Sequence, residues 1–68
     1  MKLLESVWNE AQRKYKRVWL ADNDSDITAD FDADSAAGSM IVVATSGAVY
    51  IKNTQDKWQE FGGTKIIA

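Results

Sequence analysis

Apolar residues recur at three- and four-residue steps near the start of the chain: Leu4, Val7, Trp8, Ala11, Tyr15 and Val18. That spacing predicts an amphipathic helix carrying one apolar stripe. Glu10 stands four positions before Lys14, the favourable orientation for a helical ion pair. Arg13, Lys14, Lys16 and Arg17 gather at the far end of the predicted helix, where the negative pole of its dipole favours cations. The next residues, "RVWLA", favour extended backbone, so Val18 to Leu20 are expected to leave the helix as a short strand.

From Met40 onward the period changes. "MIVVAT" and "AVYIKN" are apolar runs separated by Ser46-Gly47, which can supply the positive φ of a two-residue hairpin loop. "NTQDK" marks a second turn into "WQEF", where Trp58 and Glu60 face one way, Gln59 and Phe61 the other. Gly62-Gly63 ends that run, and "TKIIA" can add a short last strand. No proline interrupts any of these ladders. The expected fold class is therefore α+β: an N-terminal helix and short strand over 1–20, an acidic connector over 21–39, and a three- to four-stranded antiparallel β-meander over 40–68. The helix can fold back on its own sheet, or helix and sheet can dock on different surfaces; the pattern leaves both open.

Length makes the second arrangement physically attractive. A domain of 68 residues buries only about 60% of its unfolded surface, and small chains usually need a staple. With no cysteine and no histidine, disulfides are excluded and zinc and haem lose their usual ligands. Dense packing, an oxygen-ligand cation site or assembly remain. No stretch is long and apolar enough to span a bilayer, and Glu5 and Asn9 interrupt any export-type run, so a soluble chain made in the cytoplasm is expected.

The net charge of −2 conceals a polarity: residues 1–17 balance to +3, whereas residues 22–34 carry six aspartates and no cation. Asp22, Asp24 and Asp26 match the first three ligand positions of an EF-hand loop. The sixth position is Ile27 instead of glycine and the twelfth is Ala33 instead of glutamate, so no metal site is assigned and these three are weak candidates only. The basic cluster interleaves with Tyr15 and Trp19, yet Tyr15 lies on the predicted apolar stripe and the chain is acidic. Nucleic-acid binding is therefore not expected. Serines without histidine or cysteine, and carboxylates crowded into one stretch, give no catalytic constellation and call for no cofactor. The aromatics are the best functional feature: Trp8, Tyr15, Trp19, Tyr50, Trp58 and Phe61 are the candidate partner-binding residues, set against the alternative that they form the core.

The segment "GSMIVVATSGAVYIKNTQDKWQEFGG", with Gly38, Ser39, Ser46, Gly47, Val49, Tyr50, Asn53 and Trp58, resembles small proteins from the structural-gene regions of tailed bacteriophages. The upstream "SDITADFD" is similar to the Ser-Asp-x-x-Ala-Asp stretch that often precedes this unit. Asp56-Lys57 departs from the usual glycine before the tryptophan strand. The resemblance implies a minor, non-enzymatic virion protein, head-associated as a decoration, fibre anchor or connector. It further implies multiple copies or a homo-oligomer, with capsid, portal or fibre proteins as partners and no membrane. Two rivals are an acidic inhibitor of a host factor and a calcium-stabilised β module.

Overall fold

The computed structural model describes residues 1–67. It is a single six-stranded sheet: β1 Lys2–Asn9, β2 Lys14–Ala21, β3 Met40–Val43, β4 Val49–Lys52, β5 Trp58–Glu60 and β6 Ile66–Ile67. Spatial order follows chain order; every neighbouring pair is antiparallel except β2 and β3, which run parallel.

The expected N-terminal helix is absent, and the α+β assignment is corrected to all-β. The only helical piece among the described residues is a 3-10 turn at Asp24–Asp26. The residues of the supposed stripe form a hairpin instead, in which Trp8 pairs with Tyr15 and Val7 with Lys16. Its physical basis is a dual pattern. Tyr15, Arg17, Trp19 and Ala21 alternate with Lys16, Val18 and Leu20, so β2 has a period of two as well as of roughly three and a half. A lone helix of this length is marginal, whereas β2 gains a ladder on both sides. The turn closes with Arg13 at φ 55°, and Asn9 Oδ1 accepts from Gln12 N at 3.0 Å.

Parallel pairing of β2 with β3 forces the chain to cross from one end of the sheet to the other. Residues 22–39 make that crossing and cover one face of the sheet. The expected acidic connector is thus a packed cover. Ile27, Ser35 and Ala36 are buried within it, and Phe31 packs on the core. Beneath lie Ala21, Ile41, Val43, Tyr50, Lys52 and Trp58, all buried. No helix is needed over this face.

The β3–β4 turn is longer than the two residues expected. Val43 N donates to Ala48 O at 2.8 Å, so the loop spans Ala44 to Gly47, with Gly47 at φ 72°. Ala44 and Thr45 prolong the pairing with the end of β2, donating to Ala21 O and Asp22 O.

Candidate functional site

Two features set this sheet apart: a polar knot that fastens the acidic crossover, and a second face that the crossover does not cover, half-buried over most of its extent and exposed at Phe61 and Ile66.

Asp32 is the centre of the knot. Its carboxylate accepts from Arg17 Nη1 at 2.6 Å and from the Trp19 indole Nε1 at 2.7 Å. Its main-chain carbonyl accepts from Lys52 Nζ at 2.6 Å and from the Ser35 hydroxyl at 2.8 Å. Asp32 sits at φ 47°, a left-handed conformation that aspartate tolerates better than most residues. The Lys52 ammonium also lies 5.1 Å from the centre of the Trp58 ring. Burial lowers its pKa from the ordinary lysine value, with the Asp32 carboxylate acting in the opposite sense. Trp58 Nε1 donates to Phe31 O at 2.8 Å, a further tie from the sheet to the crossover. A chain without disulfides thereby ties its one long connection to three strands.

Asp24 makes a second tie, accepting from the Tyr50 hydroxyl at 2.9 Å. Hydroxyls of Ser46 and then Tyr50 hold the Asp24 carboxyl below its usual pKa, while burial, and next Asp24, raises that of Tyr50.

The aspartates therefore divide. Asp26 accepts from Asn23 N at 3.1 Å, Asp30 from the Thr28 hydroxyl at 3.0 Å, and Asp24 and Asp32 hold the sheet. Asp22, Asp24 and Asp26 do not converge, and among the described residues no group of three or more carboxylates is placed to hold a metal ion.

The candidate aromatics are scattered. Tyr50 and Trp58 have no exposed surface and belong to the core. Trp19 is half-buried against Phe31, ring centres 5.0 Å apart. Trp8 and Tyr15 stack edge to face at 5.1 Å on the projecting hairpin, where each is nearly half exposed. Phe61 is the most open, at 70%.

Of the candidate aromatics only Phe61 lies on the second face; the rest of that face was not singled out, because its residues are mainly aliphatic. Cross-strand register sets them in two rows. One row runs Val18, Met40, Ile51, Gln59, Ile66; the other runs Leu20, Val42, Val49 and ends at Phe61, whose amide donates to Val49 O. No charged residue stands in either row between β2 and β6. Five strands at about 4.8 Å spacing make this face roughly 20 Å across. At its β4–β5 end a shallow hollow is lined by Ile51, Asn53, Gln59, Glu60, Phe61 and Gly62. The signal was present in the sequence as alternate aliphatics in "RVWLA", "MIVV" and "VYIK", apolar on both faces where a solvated face would be polar.

This is a single-sheet, all-β module with one face closed by the crossover and the other half-buried and apolar. It matches no protein-family model, and neither a curated protein nor a solved structure matches it significantly. No helix among the described residues is long and apolar enough to cross a membrane.

Proposed function

We propose that the chain is a non-enzymatic docking subunit, a minor structural protein of a phage particle that seats its bare sheet face on a larger virion protein such as capsid, portal or fibre. The observation that carries the docking half of this reading is the pair of uncharged rows, Val18–Met40–Ile51–Gln59–Ile66 and Leu20–Val42–Val49–Phe61. Contiguous apolar surface on a small soluble module marks an interaction site. A two-sided apolar sheet is the ordinary state of a sheet that is covered on both faces. The virion half rests on the likeness of residues 38–63 to phage structural modules. The rival reading as an acidic decoy for a nucleic-acid-binding host factor is not favoured, since Asp24, Asp26, Asp30 and Asp32 spend their oxygens on the fold.

The test is to raise antibody to the chain and probe purified particles of the phage whose genome encodes it. Recovery in particles, and loss of the folded Val42→Asp variant from them, supports the reading. Finding the protein only in the host soluble fraction, bound to a host factor, would replace virion docking by inhibition.

A further inference from the structure

We propose that a second copy of the chain covers the apolar second face, sheet on sheet, about a two-fold axis that lies between the two rows and runs parallel to them. The proposal rests on the reading of that face as an interface. It makes the free chain a reversible dimer, whose face a larger partner must take over.

The charges at the margins of the face say what fits it. Lys2 pairs with Leu20 and Glu5 with Val18, so one row ends on β1 in a cation and the other in an anion. The bulge between Leu3 and Glu5 makes this possible. Residues three apart in a regular strand point to opposite faces, and the extra residue brings Lys2 and Glu5 to the same one. Along β2, Lys16 lies two positions before Val18, and Asp22 two positions after Leu20. Strand alternation thus sets a cation at one margin of the face and an anion at the other. Lys2, Glu5, Lys16 and Asp22 are all exposed. The ion pairs among the described residues, Lys14–Asp56 and Arg17–Asp32, use none of them.

Rotation about the proposed axis lays each strand over its own counterpart, reversed in direction. Each row then faces the other row of the second copy. Val18 meets Leu20, Met40 meets Val42, Ile51 meets Val49 and Gln59 meets Phe61. The same rotation sets Lys2 against Glu5 and Lys16 against Asp22. Symmetry doubles both, so four ion pairs flank an apolar centre. The other two-fold axis in the plane of the face, parallel to the strands, would lay β2 over β5. Lys16 would then face Lys57, which stands on this side opposite Asn53, and like charges so placed are destabilising.

Six strands at about 4.8 Å and four rows about 6.8 Å apart give a patch of roughly 500 Å² per copy. Roughly 1,000 Å² for the pair is the lower bound of a specific interface, so the dimer is weak and forms at micromolar concentrations or above.

The test is sedimentation equilibrium of the full chain from about 10 μM to about 1 mM. A monomer–dimer equilibrium is expected. Lys2→Glu, at an exposed site where circular dichroism should not change, turns two attractive pairs into repulsive ones. It should raise the dimer dissociation constant roughly tenfold. Adding Glu5→Lys reverses both partners and should restore the dimer. A monomer throughout overturns the proposal. A dimer indifferent to Lys2→Glu overturns it too, whether or not Val42→Asp dissociates it, since the copies then meet in another register or on another surface. Particle recovery separates this from virion docking: a monomeric chain present in particles sinks the dimer alone, and a dimer absent from them sinks docking alone.

Discussion

Trp19 and Asp32, thirteen residues apart, meet through an indole-to-carboxylate hydrogen bond of 2.7 Å. That bond joins the strand entering the crossover to the middle of the crossover itself, so a segment dense in like charges folds down against an apolar face. Six aspartates would otherwise prefer water. One of them is neutralised by Arg17 at 2.6 Å, and its carbonyl takes up the buried Lys52 ammonium, which has only 1% of its surface exposed.

Removing that carboxylate should therefore cost more than removing any other in the segment. Asp32→Ala leaves Arg17 and Trp19 Nε1 without their partner and puts alanine in a left-handed conformation, a loss of about 2–4 kcal/mol. Asp32→Asn keeps an acceptor and tolerates the backbone, and should cost about half as much. Urea midpoints of the two variants beside Asp34→Ala check the ranking; equal midpoints would dismiss the knot.

Asp24 and Tyr50 should shape the acid and alkaline limbs of the stability profile. Because Asp24 is held below the ordinary carboxyl value of 3.8, its contribution is present above that pH and is lost as pH falls toward the lowered folded value. Asp24→Asn should flatten this acid limb. The Tyr50 hydroxyl is shifted upward from 10.0, so its contribution is complete below 10.0 and disappears as pH climbs toward the folded value. Lys52 acts oppositely, since burial lowers it and stability gains as pH rises from that lowered value to 10.5. Comparing Tyr50→Phe with the unmodified chain at each pH isolates the tyrosine.

Core and surface aromatics should separate cleanly. Trp58→Ala opens a cavity under the crossover and deletes the bond to Phe31 O, a loss of about 3–5 kcal/mol that a chain of this size barely survives. Phe61→Ala should stay within about 0.5 kcal/mol. Thermal melts followed by circular dichroism test the contrast, and a Phe61 variant that melts like the Trp58 one would mean the bare face is structural.

Backbone strain offers one stabilising change and one destabilising change. Arg13 occupies φ 55° at the β1–β2 turn, so Arg13→Gly should raise stability by up to about 1 kcal/mol. Gly38 sits at φ 94°, where an added Cβ would have room, the nearest atom being Lys16 Cε at 3.8 Å. Gly38→Ala should still cost about 1–2 kcal/mol through its backbone alone. Denaturant midpoints give both signs.

That the chain can form no disulfide could be read from the sequence alone, because it has no cysteine. So could the strands after Met40. "MIVV" and "VYIK" are short, largely apolar runs of strand-forming residues leading on to "WQE", and Gly47 and Gly62 punctuate them at φ 72° and 75°. Short-range pattern and local turn chemistry suffice there, since each pairing joins neighbours in the chain. Tertiary structure alone decided the first half. Leu4, Val7, Trp8, Ala11, Tyr15 and Val18 satisfy a helical period and a hairpin, and intrinsic propensity separates such alternatives by only fractions of a kcal/mol per residue. The choice belongs to the long-range ladder of β2 with β3, and to the crossover that this parallel pairing demands. No window of sequence contains Arg17, Asp32 and Lys52 together, and their meeting turns an acidic run from solvated linker into the lid of a core.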